Sequence, residues 1–280
     1  MSSVILGRHR GMPAQDGAGV KLTRVINQPG LKHQDPFLML DEFRSDNPDD
    51  YIAGFPPHPH RGFCTLTYML AGQMEHKDSV GNTGVVDAGG VQWMKAARGI
   101  IHAEMPKQEQ GLMWGFQLWV NLPADEKLSD PEWHDYPSAV IPEVKRGGAS
   151  VRIIAGEFER QTGPVKAPGR EFSMLDIVYQ QRAEVELPSQ GQQQRLAYVY
   201  QGSVQVNGEV AERGELLQLD PEAALFITAE AGSGLIVLAA KPIKEPIAQY
   251  GPFVMNTSTE IEQAIRDYQA GNLAANEKLM

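Results

Sequence analysis

Seven histidines occur in the chain, and two of them flank one proline in His58–Pro59–His60, at the head of the run HPHRGFCTLTYMLAG (His58–Gly72). Along an extended strand, residues two apart share a face. Read as one strand, this run turns His58, His60, Gly62, Cys64, Leu66 and Tyr68 to one side. Arg61, Phe63, Thr65 and Thr67 then face the other. Two imidazoles at the mouth of an apolar face suit a metal, since neutral imidazole is the commonest metal ligand. The later run ARGIIHAEMP repeats the register: Ile100, His102 and Glu104 share a face, bounded by Gly99 and Pro106. Two H-x-[H/E] strands meeting across a small β-barrel would offer three imidazoles and a carboxylate to one point. The competing reading is a solvated histidine loop, a core His102 and a surface Glu104, and it needs the shared register to be coincidence.

Three neutral imidazoles and one carboxylate around a divalent first-row ion leave the centre at a net charge of about +1, with two octahedral positions open. Structural zinc sites are instead closed, tetrahedral and richer in cysteine. The single cysteine, Cys64, excludes internal disulfides and Cys-rich zinc sites. An open, nitrogen-rich cationic centre suits an anionic substrate or dioxygen.

The elements that must position these residues read as strands. In 280 residues, 42% hydrophobic and 21% charged, strand-forming runs are broken by 28 Gly and 19 Pro. Runs at Val20–Ile26, Thr65–Leu70, Val91–Met94 and Gly115–Leu122 belong to the first half. Runs at Val151–Ala155, Phe172–Val178, Ala197–Val206, Leu216–Leu219 and Gly234–Ala240 belong to the second. The Pro-, Asp- and Glu-rich stretch from Pro123 to Gly148 reads as their connection. Residues 1–135 then form an N-terminal metal-binding domain and 136–280 a C-terminal one that includes the tail. TYMLAGQMEH (Thr67–His76) and AYVYQGSVQV (Ala197–Val206) each place Gly four residues after Tyr, as for one hairpin built twice. In the tail, Thr257 and Glu260 form a capping box ahead of Ile261, Ala264, Ile265 and Tyr268 at helical spacing. Gly271 is placed to end that helix.

A net charge of −10 argues against direct contact with nucleic acid. No apolar run reaches the roughly 18 residues of a membrane span, and the opening residues lack a secretory core, so a cytoplasmic protein is expected. No histidine follows His134. With Gly202 laid on Gly72, Pro188 and Gln190 fall where His58 and His60 stand, so the second domain is expected to be metal-free.

HPHRGF, GVQWMKAARGIIHAEMP, GFQLWVNLP and YGPFVMNT closely resemble the pirin family of the cupin superfamily. The resemblance runs from about Gly19 to the tail helix. It implies an all-β chain of two tandem cupin, jelly-roll-type β-barrels with a short C-terminal helix. It also implies one Fe(II) per chain in the N-terminal barrel, with other divalent first-row metals able to replace it. The family's ligands map onto His58, His60, His102 and Glu104. Pirins usually carry Glu where this chain has Cys64, a residue that the register turns toward the metal; the plainer reading is a small buried hydrophobe.

Resemblance further implies quercetin 2,3-dioxygenase activity: opening of a flavonol ring with O2 and release of carbon monoxide. A flavonol deprotonated at its 3-hydroxyl would offset the +1 centre, and Glu104 is the nearest carboxylate to take that proton. His76, Asp78 and Gln117 are candidates for shaping the mouth, and Trp93, Met94, Trp114 and Phe116 for lining an apolar pocket. The alternative is a redox-sensing iron protein that regulates a protein partner without turnover, iron oxidation biasing a docking surface.

Overall fold

The computed structural model describes residues 3–166, 172–189, 191 and 193–274. Among them strands dominate, and the α-helix is Ser258–Gln269. Among the described residues no helix is long and apolar enough to cross a membrane. Two compact units emerge, and each draws on separated segments. One comprises Pro13–Asn27, Asp35–Ser138 and the chain from Ile243 onward; the other comprises the chain up to Met12, Gln28–Gln34 and Ala139–Pro242.

The first unit has a seven-stranded sheet in the order Glu132–Tyr136, Val91–Lys95, Phe63–Ala71, Met113–Asn121, Phe37–Ser45, Val20–Ile26 and Met12–Asp16. A four-stranded sheet runs Phe55–His60, Ile100–Pro106, Met74–Asp78, Thr83–Val86. Buried Leu22, Phe43, Tyr51, Met69, Met74 and Met113 pack into one core cluster of this unit. The second unit repeats the plan, with a four-stranded sheet ordered Ala183–Leu187, Leu225–Ala229, Ser203–Val206, Glu209–Glu212. In both units the seven- and four-stranded sheets stay separate in their hydrogen bonding, so the expected barrels are double-sheet jelly rolls.

The hairpin repeat is present in both units. Phe63–Ala71 leaves the large sheet at Gly72 (φ 83°) and enters the small one as Met74–Asp78. Gln194–Gln201 does the same at Gly202 (φ 65°), entering as Ser203–Val206. A left-handed residue at that corner lets one strand change sheets, and glycine adopts it without steric cost.

Three local readings need correction. The polar connection holds two strands, Glu132–Tyr136 and Glu143–Arg146, each at the edge of its sheet, where charged residues are tolerated. The run from His58 to Gly72 is not one strand. Gly62, at φ 90°, breaks it between Phe55–His60 in the small sheet and Phe63–Ala71 in the large one. A Cβ there would meet the Val254 carbonyl, so the chain crosses where only glycine fits. Facing therefore cannot be counted through Gly62.

The tail helix, assigned above to the C-terminal half, packs instead within the first unit. Phe253, Met255, Ile261, Ala264 and Leu273 form one buried cluster, and Val254 packs with Leu38 and Phe63. Buried Lys127 donates from Nζ to Gly62 O, Asn121 Oδ1 and Val254 O at 2.7, 2.6 and 3.0 Å. Arg61 pairs with Asp267 at 2.6 Å. The helix itself is as expected: Thr257 and Glu260 close the capping box, Ile261 and Ala264 are buried, and Gly271 is left-handed just beyond the end.

Candidate metal centre

Antiparallel pairing of Phe55–His60 with Ile100–Pro106 sets His102 directly opposite His58, and Ile100 opposite His60. Alternation puts His60 beside His58 on the same face. The three imidazoles converge, with ring centroids 4.4 to 4.9 Å apart and their ligand atoms all within 4.8 Å of one another. His60 and His102 are buried; His58 is partly exposed and forms the open side.

Several observations fit a cation. His58 Nδ1 lies 2.8 Å from the Pro56 carbonyl, which can only accept, so Nδ1 holds a hydrogen and the neutral ring presents its lone pair at Nε2. That Nε2 lies 3.0 Å from His60 Nε2, the spacing of two cis ligands each about 2.1 Å from one ion. His102 Nε2 is buried without a protein partner. Burial first, and then the neighbouring His58, hold both His60 and His102 well below the ordinary imidazole pKa. Neutral rings with converging lone pairs are what a divalent metal requires.

Glu104 lies on the same strand but outside this triad. Its carboxylate is buried and accepts from Thr67 Oγ1 at 2.8 Å and from Gln117 Nε2 at 3.1 Å. Thr67 Oγ1 also lies 2.6 Å from Gln117 Oε1. Thr67 thus faces the site, opposite to the reading that carried strand alternation through Gly62. A bulge between His102 and Glu104 interrupts pairing with Phe55–His60.

His76 and Asp78 sit behind His102 rather than at the mouth. His76 Nδ1 is 3.3 Å from His102 Nδ1, and His76 Nε2 is 3.1 Å from Asp78 Oδ2. Burial acts to raise the Asp78 carboxyl, yet hydrogen bonds from His76 and Asn82 hold it below the ordinary value.

The aromatic wall also differs from expectation. Phe63 and Trp119 meet His60 edge-on at 5.0 and 5.2 Å, and Trp133 stacks on His76 at 5.5 Å. Trp93 and Phe116 are in register with Leu66 and Tyr68 on the opposite face of the large sheet. Trp114 bonds Glu42 and lies under Arg44. Met94 packs with Ala96, Ile100 and Trp133. Gln117, a candidate from the sequence, and Trp119, which was not one, share the inward register of Thr67 and Thr65.

Cys64 shares the outward register of Leu66 and Tyr68, opposite to Thr67, which faces the site. It is fully buried, and burial pushes its thiol well above the ordinary range. The hydrophobe reading holds. Native protein should leave Cys64 unmodified by Ellman's reagent and expose one thiol per chain on unfolding; rapid reaction in the folded state would contradict its burial.

In the second unit, the strands that match the histidine strands in sheet order carry Val185, Leu187, Leu225 and Ile227, all in its apolar core. Pro188 lies just past that strand, and Gln190 lies outside the described residues.

Profiles of known families match both halves: Pirin over residues 19–120, and the Pirin C-terminal cupin domain over 174–274. The chain belongs to the pirin family. A Pseudomonas aeruginosa protein named "putative quercetin 2,3-dioxygenase" is 50% identical over 278 residues, covering 96% of this pirin and 98% of the relative. The crystal structure of a quercetin 2,3-dioxygenase from Acinetobacter baumannii matches with a TM-score of 0.87 at 32% identity, covering 97% and 98% of the two chains. The Escherichia coli pirin YhhW in complex with nickel(II) matches with a TM-score of 0.68, covering 84% and 99%; at 20% identity that likeness is one of fold.

Proposed function

We propose that this pirin is a metal-dependent dioxygenase that opens flavonol-type substrates with O2 and releases carbon monoxide. The observation that carries the reading is the convergence of His58, His60 and His102, with His102 Nε2 buried and without a protein partner. In this reading the three imidazoles hold Fe(II) or another divalent first-row ion, and Glu104 is the carboxylate that joins them. The centre then lies within the sequence-predicted N-terminal domain, residues 1–135, and the metal-free repeat is the part of 136–280 up to Pro242, the tail from Ile243 belonging with the centre's unit. The names borne by the Pseudomonas and Acinetobacter relatives support the substrate class.

A metal held there supplies a Lewis acid that favours the deprotonated form of a bound hydroxyl and a place for dioxygen chemistry. The chain's own groups do the rest. Glu104 takes the proton from the flavonol 3-hydroxyl at a carboxylate oxygen. Thr67 and Gln117 keep that carboxylate aimed by hydrogen bonds to its two oxygens. Phe63 and Trp119, packed on His60, keep the deep side of the centre dry.

The test is quercetin added anaerobically to Fe(II)-loaded protein, then air, with flavonol absorbance and carbon monoxide both followed. One carbon monoxide per flavonol lost, only with the metal present, is expected. Stoichiometric metal without turnover would overturn the enzyme reading and turn attention to partner binding in reduced and oxidised protein.

A further inference from the structure

We propose that Asp78 and His76 form a buried hydrogen-bond relay that fixes the tautomer of His102, presenting Nε2 to the metal. This deepens the metal reading above and rests on it. The relay starts from the acceptor whose protonation is settled. Asp78 Oδ1 accepts from the backbone amides of Val80 and Asn82 at 3.1 and 2.9 Å, and Oδ2 accepts from Asn82 Nδ2 at 2.8 Å. A carboxylate holding three donors is an acceptor only, so its fourth contact requires the hydrogen to sit on His76 Nε2.

In the neutral form of His76 the ring has one N–H. With it on Nε2, His76 Nδ1 is bare, and His102 Nδ1, 3.3 Å away, is the group that donates. His102 Nε2 is then a lone pair by elimination. It is also the atom left buried and unpartnered. Antiparallel pairing fixes the spacing, setting Asp78 opposite His102 and His76 opposite Glu104. Trp133, inclined only 22° to the His76 ring, holds its plane.

His58 is preset by the same rule through the Pro56 carbonyl. Two of the three ligands therefore have their lone pairs chosen by acceptors outside the centre. Without the relay His102 would exchange tautomers, and part of the population would aim N–H at the ion. His76 and Asp78 are thus positioning residues. Outer partners of metal-bound histidines are typically worth about 10–100-fold in metal affinity.

The test titrates metal-free protein with Co(II), whose visible absorption reports the donor set, in the parent, His76→Ala, His76→Gln and Asp78→Asn. The 15N imidazole shifts of His102 in histidine-labelled, metal-free protein give its tautomer directly. Expected are one Co(II) per parent chain and about 10–100-fold weaker binding in His76→Ala and Asp78→Asn, with the absorption bands unchanged. His76→Gln, whose amide oxygen accepts from His102 Nδ1, should recover part of the loss. His102 should be an Nδ1–H tautomer in the parent and a mixture in the weakened variants. If His76→Ala does not fold, Asp78→Asn decides, because it keeps the side-chain volume.

Parent-like affinity and unchanged His102 shifts in Asp78→Asn would overturn the relay alone. Altered Co(II) bands in His76→Ala would make His76 itself a ligand and overturn it too. A parent that binds no Co(II) would overturn the metal reading, and the relay with it.

Discussion

His60→Ala should reduce metal binding by more than the roughly 100-fold upper range of an outer-partner loss, because it removes a donor rather than an orienting group. His60 is the most enclosed of the three in aromatic terms, with Phe63 and Trp119 both edge-on to its ring. No other described imidazole can replace it: His76 is occupied with His102 and Asp78. The ring is held neutral, so its removal relieves no charge repulsion and only shrinks a core side chain. A folded His60→Ala chain that cannot retain metal is therefore the expected result, read by elemental analysis alongside circular dichroism. Parent-like metal content in that folded variant would remove His60 from the centre.

Glu104→Gln is the second large effect. The amide keeps the size of the carboxylate and can still accept from Thr67, so the fold should tolerate it. What it loses is the negative charge and the ability to take a proton. General base catalysis typically contributes about 10²–10⁴-fold, and turnover of flavonol should fall by that range. Metal content measured in the same sample separates two roles. Turnover lost with metal retained marks a base, whereas both lost together marks a ligand that the fold depends on to close the site. Parent-like turnover in Glu104→Gln would exclude either role.

Much of the centre was legible because two short strands carry it. Strand alternation fixes which neighbours share a face, so the pairing of His58 with His60 followed from spacing alone. That the two strands lie side by side is a long-range fact, and here the pairing places His102 on His58. Alternation failed where the strand did. Gly62 moves the chain from one sheet to the other, so Thr67, counted outward, faces Glu104, and Cys64, counted inward, faces away.

The strand Glu132–Tyr136 was hidden because an edge strand needs hydrogen bonds on one side only and tolerates charge. His76 and Asp78 repeat the two-residue spacing of His58 and His60, which was a usable signal. Their contact with His102 depends on the Met74–Asp78 pairing, which spacing cannot give. The tail helix was readable down to its cap. Its place in the first unit depends on buried Phe253, Val254 and Met255, which lie before the helix.

The most direct test of the account is the number of metal ions per folded chain, measured by elemental analysis on protein purified anaerobically. One ion per chain, lost in His60→Ala, is the predicted result. None in the parent would contradict the centre itself, and two would contradict the apolar core that replaces it in the second unit.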